Sequence, residues 1–348
     1  DAATKMMQQY LDIKFAHLDC LLLFRMGDFY EMFYEDAVLA SGVLGIALTK
    51  RGNNGDEEVP MCGVPYHALE NYLTKLIEKN YKVAICDQLE TPEEAKNRGG
   101  YKAVVNRNVT RIITPGTVIE ENLITTAEPN YLASLVVPKN KDTAALCYAD
   151  LSTSTIFVVN VPELEILNEL ARLKPREILL SEHLRSSDLA SNISKQLNFR
   201  ITYQVDSFFA VNKCEKIILD FYKMKDIKGV GEISNSQICA IGSILEYLTL
   251  TQKENIPNLP KPKIIDFHSY MTIDFSTRRN LEIVTNSCGG NKGSLLSTLN
   301  HTVTKQGGRL LYNFLSSPLT DTHKINQRLN ITEFFHSNLD ITVKVREL

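Results

Sequence analysis

Between residues 130 and 204 the chain lays down a pattern that few folds accommodate. Three apolar runs, "YLASLVVP", "TAALCYADLS" and "STIFVVNV", follow one another with only short polar breaks. Breaks that short join antiparallel neighbours. Then "ELEILNELARL" has helical spacing, "REILLS" reads as a strand, residues 185–197 as a helix and "FRITYQ" as another strand. The order βββαβαβ commits this segment to a mixed sheet with helices packed on it.

That is the strand order of ribonuclease-H-like folds. Ahead of it, residues 4–18 predict a helix and "LLLFRMG" a strand ended by glycine. Asp28 and Glu31 have the D-x-x-E spacing of a capping box. That predicts a helix from Asp28 to about Ser41, with Phe33, Ala37, Ala40 and Leu44 on its core face. By spacing alone Phe29 falls on the same face. "LGIALTKRG" predicts a strand entering the polar loop "RGNNGDEE", and "VPMCGVPYHA" a loop punctuated by Pro and Gly. "HALENYLTKLIEKN" predicts an amphipathic helix, "YKVAICDQLE" a strand, "TPEEAKNRGG" a short helix and "YKAVVNRNVTRIITPGT" a β run.

After residue 204, "NSQICAIGSILEYLTLTQ" is an apolar helix and "NIPNLPKPK" a Pro-rich linker; helices are expected at 275–285, 293–299, 304–315 and 321–336. The expected organisation is therefore an α/β multidomain chain. It has a mixed α/β domain at 1–116, a linker at 117–130, a ribonuclease-H-like domain at 131–252 and the first part of an all-α domain at 253–348. The opening "DAATKMMQQYLDIKF" reads as an amphipathic helix rather than a signal peptide. A start on Asp1 and an end at "VKVREL" lead us to expect a segment of a longer protein.

Charge narrows the chemistry. Net charge is −3, and residues 1–115 hold 13 Lys and Arg against 16 Asp and Glu. There is no global basic footprint, so any contact with nucleic acid must come from local clusters. Those are Lys50 and Arg51 at a strand exit, and Lys102, Arg107 and Arg111 on a stretch free of acids. Seven dispersed cysteines without a CxxC read as reduced thiols, which points to the cytoplasm. No apolar run has the length of a membrane span.

Catalytic motifs are scarce. A P-loop needs GxxxxGK[ST], and "CGGNKGS" at 288–294 has its glycines and lysine in the wrong order. Asp150 closes the strand "LCYAD", where a metal-dependent nuclease would place a carboxylate, but only Glu177 on the later strands supports it. A lone acid at a strand end is more often a turn former. A ribonuclease-H-like nuclease is the alternative function.

Several ordered blocks then resemble one family. "MGDFYEMFYEDA" (26–37), "LTKRG" (48–52), "VPMCGVPYHALENYLTKLI" (59–77) and "RIITPGT" (111–117) resemble the N-terminal domain of the MutS family of DNA mismatch-recognition proteins. "MTIDFSTRRNLEI", "SLLSTLNHTVTKQGGRLLYNFLSSPL" and "RLNITEF" resemble the start of its helical core. The resemblance implies a mismatch-binding domain, a connector of ribonuclease-H-like fold and part of a helical lever. It implies homodimers that kink duplex DNA at mismatches or small loops, and a downstream partner, MutL. ATP hydrolysis with Mg is implied for the full-length protein and not for this segment, for which no cofactor is expected.

The family's Phe-x-Glu motif falls on Phe29 and Glu31. By the resemblance, Phe29 enters the minor groove and stacks on the mispaired base, while Glu31 hydrogen-bonds to it. Exposure of Phe29 is thus implied, against its helical spacing. Glu31 is expected to cap its helix, or lie loosely, until DNA draws it out. Softer contacts are implied at Lys50, Arg51, Pro60, Met61, Tyr66, Asn71, Arg107 and Arg111.

Overall fold

A computed structural model describes residues 2–52, 58–119, 128–139, 143–197, 199–253 and 255–347. Most of the loop expected at 51–58, and of the linker at 117–130, lies outside these residues. The chain divides into two units: Asp1–Thr125 with Leu245–Asn258, and Thr126–Ile244 with Leu259–Leu348.

The first unit is built on a six-stranded sheet. Its strands are β1 (Leu21–Met26), β2 (Phe29–Phe33), β3 (Thr49–Arg51), β4 (Val59–Pro65), β5 (Val83–Gln88) and β6 (Arg107–Ile113), in the spatial order β3-β4-β2-β1-β5-β6. Helix α1 (Ala2–Phe15) covers one face. Its Tyr10 ring meets Phe24 and Phe33 edge-on, at centroid distances of 5.4 and 4.9 Å. Such pairs add about 0.5–1.5 kcal/mol beyond the area they bury. Helices α2 (Tyr34–Leu44) and α3 (Leu69–Glu78) cover the other face, over Leu21, Leu23, Tyr30, Met32 and Val64. A short α4 (Pro92–Gly99) starts at a complete capping box between Thr91 and Glu94.

Two expectations fail here. The capping box at Asp28 and Glu31 does not form. Residues 29–33 are strand, and the helix begins at Tyr34. The reason is a two-residue hairpin turn at Gly27-Asp28, in which Gly27 has φ +59° and Met26 pairs with Phe29. A glycine of positive φ between aromatic, β-favouring runs outcompetes a helix start. The expected loop "VPMCGVP" is also a strand, β4, between β3 and β2. Its prolines sit where a partner is missing: pairing with β2 stops at Met61, one residue after Pro60, and Pro65 ends the strand. Phe33, Ala37, Ala40 and Leu44 are buried, as their spacing predicted.

In the second unit β7 (Tyr131–Val136), β8 (Ala144–Asp150) and β9 (Thr155–Val161) form an antiparallel meander. After α5 (Ile166–Leu173), β10 (Glu177–Ser181) returns parallel to β7. After α6 (Asp188–Gln196), β11 (Arg200–Gln204) lies parallel to β10. This is the expected ribonuclease-H-like arrangement. Helix α7 (Val211–Tyr222) and α8 (Asn235–Gln252) follow, the residues of α8 from Leu245 on being counted with the first unit, and β12 (Lys263–Ile265) completes the order β11-β10-β7-β8-β9-β12. The last stretch is helical: α9 (Phe275–Asn280), α10 (Leu295–Leu299), α11 (Lys305–Ser316), α12 (Thr322–Ser337) and α13 (Leu339–Glu347).

The packing of α7 on α8 depends on one missing side chain. A Cβ built on Gly242 would lie 2.3 Å from the Cys214 Cβ and 2.6 Å from its Cα, so the helix backbones approach too closely for alanine. A Cβ built on Gly42, on the exposed side of α2, would meet no atom outside its own helix within 4 Å. Gly242→Ala is expected to lower stability by roughly 1–3 kcal/mol or more through overpacking. Gly42→Ala is expected to raise it by about 0.5–1 kcal/mol. Urea unfolding of the two variants beside the parent checks both signs.

Candidate nucleic-acid interface

The register of the β1–β2 hairpin decides which side chains share a face. Phe29, Glu31 and Phe33 alternate with Tyr30 and Met32 along β2, so they point to the α1 side of the sheet. Phe33 is fully buried under Tyr10, whereas Phe29, first residue after the turn, is 47% exposed. Thus Phe29 is exposed, at a strand start rather than a helix start.

Glu31 lies between them. It neither caps a helix nor hangs loose. Its Oε2 accepts from Nη1 of Arg51 at 3.3 Å, and its side chain is 19% exposed. The same Arg51 nitrogen lies 3.5 Å from the Met26 sulfur. Burial pushes the Glu31 carboxyl above its ordinary value; the positive charges of Arg51 and Arg107 pull it down without cancelling that effect. Opposite Glu31 on β4 stands Gly63. A Cβ there would lie 3.6 Å from Cγ of Glu31 and 3.8 Å from Cδ1 of Phe29. The glycine therefore leaves open the space beside the aromatic ring and the carboxylate.

The remaining candidates separate. Met61 packs on the α1 face, with its neighbours Val59 and Phe33. Lys50 and Pro60 alternate with Arg51 and Met61 and take the opposite face, where Lys50 pairs with Glu58. Tyr66 is 46% exposed in the short turn after β4, and its N–H donates to the Asp28 carbonyl at 2.9 Å, tying it to the hairpin turn. Asn71 is exposed on α3.

Arg107 has internal duties. It donates to the Arg25 carbonyl at 2.7 Å, and to Gln9 Oε1 and the Val105 carbonyl at 3.0 Å each. A register shift opposite Ile85 and Cys86 turns the strand over between Val109 and Arg111. Val109 belongs to the α1-side core and Ile113 to the other, so Arg107 and Arg111 face opposite sides of the sheet. The local cluster expected at Lys102, Arg107 and Arg111 does not share one face, and both arginines are half-buried.

Sequence reasoning overlooked Arg25. Its guanidinium lies 3.8 Å from the Tyr66 ring centroid and 5.4 Å from that of Tyr30, and its Nε donates to the Gly27 carbonyl. It braces the turn that presents Phe29. A cation two residues before a hairpin glycine, with a tyrosine across the strand, was the available signal.

The carboxylates of the nuclease alternative are spent elsewhere. Asp150, buried, accepts from the N–H groups of Asn130 and Ser152 and from the Ser152 hydroxyl. Glu177 accepts from Thr202 at 2.6 Å. Among the described residues no cluster of His, Cys, Asp and Glu has the makings of a metal site. The segment "CGGNKGS" is a turn folded around Asn286, whose side-chain oxygen accepts from the N–H groups of Cys288 and Gly290. All seven cysteines are free, and six are buried. No helix among the described residues is long and apolar enough to cross a membrane.

Fold and site together define a class: multidomain α/β proteins that present an aromatic ring and a carboxylate at a hairpin strand, ahead of a ribonuclease-H-like domain and a helical segment. Three family models match in that order, MutS domain I over residues 4–122, domain II over 130–260 and domain III over 276–348. Over all 348 residues the chain is 99% identical to the DNA mismatch repair protein MutS of Rickettsia bellii (strain OSU 85-389). It is 86% identical to the proteins of that name from Rickettsia massiliae and Rickettsia conorii, and covers 39% of the length of each of the three. The chain belongs to the MutS family.

The electrostatics of Glu31 have a testable sign. A carboxyl raised on folding stabilises least when ionised, so its contribution is fully present below the unfolded value and is lost as pH rises through the folded one. Glu31 is expected to titrate above an ordinary glutamate, and Arg51→Met to raise it further. Carbon NMR titration of the side-chain carboxyl measures both.

Proposed function

We propose that this chain recognises mispaired bases in duplex DNA, with Phe29 as the wedge and Glu31 as the hydrogen-bonding partner of the displaced base. The observation that carries this reading is a half-exposed phenylalanine at the end of a paired strand, beside a half-buried carboxylate on the same face. Driving an apolar wedge between base steps costs a few kcal/mol of unstacking. The cost is lower where pairing is already damaged. Stacking on an aromatic ring returns roughly 1–3 kcal/mol whatever the base. The balance therefore favours a mismatch without reading sequence.

Glu31 sharpens the difference. An unpaired carboxylate near phosphates opposes binding to any duplex, and a donor on a mispaired base offsets that opposition only at the error. To reach a base Glu31 must leave Arg51. Ion pairs near the surface contribute roughly 0–1 kcal/mol, so this exchange costs little. Arg51, once released, is a cation for a phosphate, and such contacts position a protein on the duplex.

The whole protein, of which this chain spans a part, is proposed to act as a homodimer on mismatches or small loops. Its proposed ATP and Mg chemistry resides outside this chain, and MutL is its proposed downstream partner.

Fluorescence anisotropy at fixed salt, comparing mismatched with matched duplex, tests the reading in the full-length protein. Phe29→Ala is expected to cut affinity for the mismatch about 5- to 150-fold, the equivalent of the lost stacking, and to erase the preference. Glu31→Gln is expected to tighten binding to matched duplex. A preference that survives Phe29→Ala would refute the assignment.

A further inference from the structure

A cleft of about 330 Å³ opens at the carboxyl ends of β7 and β10 in the second unit. There the connections diverge: β7 leads to β8 on one side, and β10 leads to β11 on the other. In open α/β sheets such switch points are where ligands collect, and the volume is that of a small-molecule site.

Two observations point to an anion. The first is the start of α8, an 18-residue helix. Ser234 caps it reciprocally with Gln237: the Ser234 hydroxyl accepts from the Gln237 N–H at 3.2 Å, and the Gln237 side chain accepts from the Ser234 N–H at 2.9 Å. The N–H groups of Asn235 and Ser236, two residues that line the cleft, have no acceptor among the described residues. The second is the Ser236 side chain. The residue is 6% exposed and lines the cleft, and its hydroxyl makes no hydrogen bond among the described residues.

Lys139, exposed on the cleft wall, adds a positive charge. Among the described residues that line the cleft, one carboxylate opposes it. Asp206 also lines the cleft, and its Oδ1 accepts from the Ser181 hydroxyl and from the backbone N–H and ring of His183. With Lys139 and Asp206 balanced, the open donors at the positive end of α8 set the sign of the site.

We propose that this cleft binds a small organic anion. A phosphate or carboxylate head is held by the Asn235 and Ser236 N–H groups, the Ser236 hydroxyl and Lys139, and an apolar body rests on Pro138 and Phe209.

The test titrates phenyl phosphate into the 348-residue chain and follows the Asn235 and Ser236 amides by NMR. Benzoate, inorganic phosphate and phenol serve as separate arms. Saturable shifts at both amides with phenyl phosphate or benzoate are expected, weaker ones with inorganic phosphate and none with phenol. The stronger of phenyl phosphate and benzoate identifies the head. Ser236→Ala and Lys139→Ala should each weaken binding at least threefold. Lys139 is exposed, so its variant reads binding even if Ser236→Ala disturbs the helix start. The proposal fails if no shift saturates, if neither variant changes the titration, if phenol matches the anions, or if a short DNA duplex displaces the probe and claims the site for backbone phosphate.

Discussion

The geometry of the candidate interface rests on the pairing of Met26 with Phe29 across the Gly27-Asp28 turn. Side chains on a strand alternate, so this register sets the whole of β2 at once. It puts Phe29, Glu31 and Phe33 on the α1 face and sends Tyr30 and Met32 into the other core. A slip of one residue would bury Glu31 among Leu21, Leu23 and Val64 and turn Tyr30 to the α1 side. The turn is guarded accordingly. Arg25 bonds the Gly27 carbonyl and lies against the Tyr66 ring, the Tyr66 N–H holds the Asp28 carbonyl, and Arg107 holds the backbone of Arg25.

Within that frame Glu31 is placed at a compromise. Its carboxyl is raised by burial, so ionisation there is penalised, yet Arg51 stands close enough to keep the charge tolerable. Among the described residues its one side-chain partner is Arg51, at 3.3 Å, which leaves the carboxylate neither locked nor free. A fully buried pair would resist opening, since a stranded charge costs several kcal/mol. A fully solvated carboxylate would be reached by water as readily as by a base. Gly63 serves the same end by omission, because a larger residue opposite Glu31 would crowd the space beside its carboxylate and the Phe29 ring.

Much of the fold was legible in the order of apolar runs. The three short-spaced strands of the second unit and its two helix crossovers follow from run length and break length, and the sheet forms in that order. The first unit was harder because its signals are short and compete. Asp28 and Glu31 carry a cap spacing, but Gly27 and four aromatics carry a hairpin, and pairing with two neighbours decides for the hairpin. Pro and Gly in "VPMCGVP" read as loop because their tolerance depends on where neighbouring strands end, which no local pattern encodes. The exposure of Phe29 came only from the family resemblance. Arg51 was named as a cation near DNA, but its bond to Glu31 links residues twenty apart and depends on the pairing of three strands.

The strand origin of Phe29 bears on the wedge role proposed for it. A ring at the first turn of a helix is held by one fraying end, and its backbone donors there lack partners. A ring on β2 is held by pairing on both sides: Phe29 lies opposite Met26 of β1 and Pro65 of β4. Four residues further on, Phe33 anchors the strand under Tyr10. Unstacking a base step demands a few kcal/mol, delivered through one side chain. A mobile support would dissipate that work in its own ordering entropy, at about 1–2 kcal/mol per residue fixed. A sheet that is already ordered has little left to lose, so in the proposed role the gain from stacking would appear as selectivity for the damaged step.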